Sequence, residues 1–343
     1  MKIINILVTG AGGGVGQGII KSLKMIKDLE IKIVAADMHE LSPGLYAADS
    51  SYIVEHCNSE KYFENLVKIF KKELIDFYIP GTDLELLFCA ENKDLIKDLF
   101  NVHTIISSID VIKICEDKFK TALFLKKFNL NYPKTQLLKS IDLKNIIFPV
   151  ILKPSNGYRS IGVYKVNNII ELNNLIEKLD PNKYVLQEYI GDEDFEYTCT
   201  VVKVADHFSP VLTFKRILRS GDTYRAEPVK FKAIEKYVLD VASKLDIDGG
   251  CNFQLRLDKF GKPKIFEINS RFSGTTPFCA QIGFNPLEFY LKKTLGLEPF
   301  IDIDYSSIIM RYWSEVVVKK SIIEKIHTER SIKPSLSKQF KLF

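Results

Sequence analysis

The chain lacks paired cysteines. Its six, Cys57, Cys89, Cys115, Cys199, Cys251 and Cys279, are scattered, with no C-x-x-C and no histidine at metal spacing. A zinc ribbon and a disulfide framework are excluded, and buried, reduced thiols are expected. Histidine is scarce as well: His39, His56, His103, His207 and His327 stand singly in 343 residues and give no reason to expect Ser-His-Asp chemistry. No apolar run reaches the roughly 18 residues of a membrane span. The opening MKIINILVTGAGGG is a short apolar run ended by glycines, without a cleavage region. A cytoplasmic protein with no membrane partner is therefore expected. Charge of one sign is also missing, because 48 Lys and Arg stand against 43 Asp and Glu and the lysines are spread among the acids. A nucleic-acid footprint would be clustered, so no nucleic-acid partner is expected.

A hydrophobic fraction of 46% over 343 residues is enough for two or three domains with cores of their own. Residues 3–9 read as a buried parallel strand, 10–14 as a glycine turn, 15–27 as a helix and 31–37 as a second strand ending in Asp37. The alternation continues with a helix near 59–73, a strand at 75–80, a helix around 83–99 and a strand at 103–107. Residues 1–108 thus read as an α/β domain. From 109 the pattern becomes α+β. A helix pair comes first, then two strands around the polar loop SNGYRSIG. A helix at 168–179 precedes strands near 184–190, 195–204 and 210–219. A helix at 230–245 leads into the hairpin CNFQLRLDKFGKPKIFEIN. The basic segment 319–343 reads as a surface helix and a loose end.

LVTGAGGGVGQGII, with an acid about 20 residues past the turn, fits the glycine fingerprint of nicotinamide-binding enzymes. A short-chain epimerase or reductase also needs a Tyr with a Lys four positions later, and none of the 15 tyrosines has one. Phosphate chemistry is signalled elsewhere. Lys118 opens a helix. Lys153 ends the strand FPVILK just before a loop in which Ser155, Gly157, Ser160 and Gly162 expose backbone N–H groups suited to a polyphosphate. In the hairpin, alternation turns Asn252, Gln254 and Arg256 to one side of the first strand, and Ile265, Glu267, Asn269 and Arg271 to one side of the second. Gln254, Glu267 and Asn269 then converge as hard oxygen donors for Mg²⁺. Arg271 lies one step further, able to grip an anion bidentately.

DK at 117–118, FPVILKP, GYRSIGV, VLQEYIGDEDFEYTCTVV and CNFQLRLDKFGKPKIFEINSRFSG occur in the order seen in ATP-grasp enzymes. The chain resembles, over nearly its whole length, those of the carbamoyl-phosphate synthase large subunit and short relatives such as the pyrrolysine-biosynthesis ligase. The resemblance implies an ATP-grasp architecture: a Rossmann-like pre-ATP-grasp domain (1–108), an ATP-grasp domain (109–318) with a lid subdomain (118–187) and a larger subdomain (188–318), and a basic tail (319–343). It implies ATP with Mg²⁺, or Mn²⁺ in its place. Lys118, Lys153 and the loop from Ser155 to Gly162 would contact phosphates; Glu188, Tyr189 and Ile190 would read the adenine; Glu196 would accept from the ribose. Gln254, Glu267 and Asn269 would hold the metal, and Arg271, Lys153 and Arg219 would face the reacting anion. Gly12, Gly13, Thr82, Asp83 and Glu85 of the first domain would help choose the substrate, although Thr82, Asp83 and Glu85 also read as a helix cap. The sequence departs from the family in having Arg159 where Gly is common and Gln254 where Glu is common.

The implied activity is an ATP-dependent carboxylate–amine ligase acting through an acyl phosphate on a small amino acid or amino sugar. A homodimer is a common arrangement among relatives. An NAD(P)-dependent epimerase or oxidoreductase and a non-catalytic ATP-binding module are the alternatives.

Overall fold

A computed structural model describes residues 3–157, 161–191, 196–312 and 314–333. Three sheets organise them. The first contains β1 (Ile4–Val8), β2 (Ile31–Asp37), β3 (Ser50–Ile53), β4 (Phe77–Ile79) and β5 (His103–Thr104), all parallel in the order β3-β2-β1-β4-β5. β1 (INILV) and β2 (IKIVAAD) are mostly apolar because both faces are covered. Ile6, Val8, Ile33 and Ala35 join one core, and Leu7, Val34 and Ala36 another. β3, short and half polar (SSYI), is a strand that the apolar-run reading passed over.

The second sheet is antiparallel, in the order β6 (Thr135–Leu137), β9 (Tyr184–Glu188), β7 (Val150–Pro154), β8 (Tyr164–Val166). It carries a small core of its own around Leu152, Val166, Leu172 and Leu186. The third sheet holds β10 (Glu196–Val204), β11 (His207–Phe208), β12 (Leu212–Arg219), β13 (Asp222–Val229), β14 (Gly249–Leu257), β15 (Pro263–Asn269) and β16 (Ile309–Met310). Its path is β15-β14-β10-β12-β13-β16, and β11 pairs with β10. β13 (DTYRAEPV) was not legible as a strand, since its polar half hid the alternation that its burial shows.

The segment after 319 is less loose than expected. Lys320–Glu329 is a helix, and β17 (Ser331–Ile332) pairs antiparallel with β3, with Ile326 and Ile332 buried against the first sheet. Residues 334–343 lie outside the described residues. Among those described, no helix is long and apolar enough to cross a membrane.

Candidate functional site

The glycine turn is occupied by its own domain. Gly12 N–H donates to Asp37 Oδ2 at 2.7 Å, while Ser42 Oγ (2.7 Å) and His39 N–H (3.2 Å) donate to Oδ1. A Cβ on Gly12 would stand 2.5 Å from Ser42 Oγ, and one on Gly16 2.3 Å from Gly10 O. The glycines therefore serve close backbone packing, and the acid that a dinucleotide site would offer to a ribose is spent on the turn. This corrects the assignment of Gly12 to a substrate. Gly13 fares differently: with Gly14 and Val15, at the start of α1 (Gly14–Lys24), it lines a cavity.

That cavity, of about 300 Å³, lies between the first and third sheets. Its walls carry Thr82 and Asp83 from the loop after β4, Asn252 and Gln254 from β14, Glu267 and Asn269 from β15, then Arg271, Arg216, Asp222 and Arg311. Apolar side chains are few, Val15 and Leu84. A second cavity of about 270 Å³ opens between the second and third sheets. Ile151, Val163, Ile190, Leu218 and Phe266 give it apolar walls, and Lys118, Lys153, Glu188 and Glu196 lie at its polar positions. Arg216, Gly221, Gln254 and Glu267 line both cavities, so the two meet at the hairpin.

The hairpin register explains the meeting. Gln254 pairs directly with Glu267 and Asn252 with Asn269, which brings their side chains to one face. The ladder then slips between Gln254 and Leu255, so that Leu255 faces Ile265. This bulge corrects the expectation that Ile265 shares the face of Glu267. Ile265 is instead buried in the core with Ile268. Asn269 Nδ2 donates to Glu267 Oε1 at 3.2 Å.

Both lysines are buried, Lys118 at 7% and Lys153 at 5% exposure. Lys118 Nζ donates to Gly157 O (3.0 Å) and Lys153 Nζ to Phe266 O (3.3 Å). Burial, then the Lys118 ammonium, lowers the Lys153 pKa to about 7, against the pull of Glu267 and Glu196. Ser155 does not line either cavity; its hydroxyl donates to Asp117 Oδ1 at 2.5 Å, the carboxylate that caps the helix opened by Lys118. Gly162 has φ +73°. Ser160 and Arg159 lie outside the described residues. Tyr189 and Ile190 line the second cavity, and Glu188 accepts from Lys134 N–H (2.9 Å) and Lys264 Nζ (3.1 Å).

Glu196 lies in a row of charges across three strands, facing Arg256 on β14 and Arg216 on β12. Arg216 Nε and Nη2 reach Oε1 at 3.0 and 2.5 Å, and Arg256 Nη2 reaches Oε2 at 3.0 Å. Burial raises the pKa of this carboxyl, but the two guanidinium groups outweigh burial and hold it below its ordinary value. Any ribose hydroxyl would have to share these oxygens with two arginines. Arg219 is a correction. It is exposed, stacks on Tyr224 at 5.3 Å and lines neither cavity, because strand alternation turns it, three residues on from Arg216, to the opposite face of β12. Arg216, 8% exposed, is the arginine of β12 at the site. Its signal in the sequence was its place opposite an acid, which only the register reveals.

Glu85 is a further correction. It is 1% exposed and accepts from Gly81 N–H (2.9 Å), Thr82 N–H (3.2 Å), Tyr62 hydroxyl (2.6 Å) and Tyr78 hydroxyl (3.2 Å). This is a capping box closed by a buried carboxyl, with no face toward a substrate. Arg311 went unnoticed in the sequence: Nη2 donates to Gly274 O at 2.5 Å and the guanidinium stacks over Phe278 at 4.9 Å.

Among the described residues, no group of three or more His, Cys, Asp or Glu side chains is placed to hold a metal. The Gln254, Glu267 and Asn269 set has one carboxylate and two amide oxygens, hard donors that suit Mg²⁺.

Residues 6–106 match the model of the PylC-like N-terminal domain, and residues 115–275 match that of the ATP-grasp domain. Residues 115–275 are thus an ATP-grasp domain, preceded by a PylC-like N-terminal domain. The carbamoyl phosphate synthase large chain of Helicobacter pylori is 26% identical to this chain over 324 residues, 85% of this chain and 29% of that protein. The chain thus spans under a third of the length of that curated relative. Two solved structures share its fold. The N5-carboxyaminoimidazole synthetase of Staphylococcus aureus complexed with ADP superposes with a TM-score of 0.73 at 16% identity, covering 91% of this chain and 83% of that one. The L-amino acid ligase of Bacillus licheniformis gives 0.65 at 17% identity, covering 84% and 73%.

Proposed function

We propose that this protein is an ATP-dependent carboxylate–amine ligase that makes an amide on a small metabolite of the amino acid or amino sugar class. The observation that carries the reading is the junction: a cavity with apolar walls and two buried lysines opens, through Gln254, Glu267 and Arg216, into a polar cavity holding Arg271 and Arg311. The apolar-walled cavity suits a purine with its phosphates running toward Lys118 and Lys153. The polar cavity suits a small zwitterion, because its walls carry Asp83 and Asp222 as well as arginines.

Glu267, Gln254 and Asn269 would hold Mg²⁺, which when bound offsets phosphate charge and steadies the phosphates. Lys153, with a pKa near 7, is partly neutral at neutral pH until phosphate oxygens restore its proton. Charged, it stabilises the γ-phosphoryl group as a substrate carboxylate oxygen attacks phosphorus and ADP leaves. Arg216 sits where both reactants can reach it, and Arg271 would bind the acyl phosphate. An amine then attacks the acyl carbon, the C–O bond breaks, and phosphate departs with the former carboxylate oxygen. No side-chain nucleophile is needed, in keeping with the scarcity of histidine.

The test is a screen of carboxylate and amine pairs for phosphate release, followed by ¹⁸O labelling of the carboxylate of any pair that reacts. One ¹⁸O in the released phosphate is the expected result. ATP binding without release across the screen would favour a non-catalytic module, and release without label would exclude the acyl phosphate.

A further inference from the structure

Arg271, which the ligase reading places on the acyl phosphate, already grips a carboxylate. Nε donates to Asp83 Oδ1 at 2.7 Å and Nη2 to Asp83 Oδ2 at 2.8 Å. Nη2 also reaches Asn269 Oδ1 at 3.4 Å, and Nη1 reaches Phe272 O at 3.2 Å. A guanidinium has five N–H donors, and the parallel pair that fits a planar anion is the pair filled by Asp83. The partner comes from 188 residues away, in the loop after β4, and both residues line the larger cavity.

The two ends of this pair differ. The Arg271 side chain is 11% exposed and that of Asp83 34%. The cation is thus fixed deep in the wall while the anion stands at the open end, where it can be replaced without moving the cation. A second acid is nearby: the Glu116 carboxyl is held above its usual range by burial and by the charge of Asp83. A third carboxylate, Asp222, lines the same cavity. An arriving anion therefore meets carboxylates that compete with it for the arginines of this cavity, Arg216, Arg271 and Arg311, and at Arg271 the competing carboxylate already fills the bidentate position.

We propose that Asp83 is a built-in stand-in for the substrate's anionic group, holding Arg271 in its binding geometry until the substrate carboxylate or its acyl phosphate takes the same two N–H groups. The proposal rests on the ligase reading and adds a specificity device to it. A ligand without an anion cannot release Arg271, since removing Asp83 without replacement leaves a buried cation unpaired. Apparent affinity for an anion is lowered by the fraction of molecules in which Asp83 keeps its place. Removing the Asp83 charge therefore tightens anion binding, whereas a plain strut between the two domains would give only a loss of stability.

The experiment uses the full chain saturated with Mg-ADP, with inorganic phosphate as the probe, titrated calorimetrically against wild type, Asp83→Ala and Asp83→Asn. Phosphate should bind about tenfold more tightly to Asp83→Ala. It should also bind more tightly to Asp83→Asn, which keeps the side-chain shape if the alanine variant folds poorly. Adding Arg271→Met to either variant should abolish the gain. Unchanged or weaker phosphate binding in both variants, with Mg-ADP binding intact, would overturn the exchange and leave the ligase reading standing. Failure of wild type to bind Mg-ADP would overturn both.

Discussion

The two cavities share a wall but are assembled differently. The cavity proposed for the nucleotide draws all its lining residues from 118 to 267, and its lysines sit at a helix start and a strand end. The cavity proposed for the substrate takes its walls from the α1 turn, the loop after β4, the β10–β15 strands, the segment 271–275 and Arg311. Both carry charges of both signs; the first adds apolar walls, whereas the second has few apolar side chains. A compact set of short motifs suffices for a ligand common to many proteins, whereas a particular substrate is read by a surface that only the packing of separate segments creates.

If that division is right, the heaviest losses follow from changes on the nucleotide side. Lys153→Met keeps the side-chain length and removes the charge, and should lower single-turnover ATP consumption by about 10²-fold or more. Glu267→Gln, at the junction, should weaken divalent-ion activation by about 10- to 100-fold, read from a Mg²⁺ titration of activity. Arg216 and Arg219 sharpen the comparison within one strand. Arg216→Met strips Glu196 of one of two guanidinium partners and should cost about 3 kcal/mol of stability in denaturant unfolding. Arg219→Met should stay within about 0.5 kcal/mol and leave turnover unchanged.

The pH dependence follows from the same lysine. Its pKa falls from 10.5 to about 7 on folding. The folded chain therefore binds fewer protons than the unfolded chain between those values, and this group's contribution to stability rises with pH across that window. The cost of burying its charge is fully present below about 7. Nucleotide phosphates favour the charged form, so Mg-ADP binding should take up a proton above pH 7 and weaken as pH rises. Calorimetry at pH 8 in buffers of different ionisation enthalpy checks the proton count. The smallest effect on activity belongs to Glu85→Ala. It should destabilise the first domain by about 1–3 kcal/mol, because two N–H groups and two tyrosine hydroxyls lose their acceptor, while leaving KM for the substrate unchanged.

The sequence made legible what depends on local pattern. Apolar runs marked β1 and β2, and the Lys153 strand end and the Glu267-x-Asn269-x-Arg271 row marked places that the structure brings to the cavities. What was missed depended on register. A one-residue bulge with no glycine or proline to announce it moved Ile265 into the core, and Arg219, three residues from Arg216, falls on the other face of β12. Glu85 read equally as cap or ligand until burial decided. Arg311 had no local signal at all, since its importance comes from Gly274 and Phe278, both distant in sequence.

The most direct test of the account is calorimetric titration of wild type and Lys153→Met with Mg-ADP and, separately, with NAD(P)H. Binding of Mg-ADP to wild type, its loss in the variant and no heat with NAD(P)H is the predicted result. NAD(P)H binding with no response to Mg-ADP would contradict it, placing the ligand at the glycine turn after all.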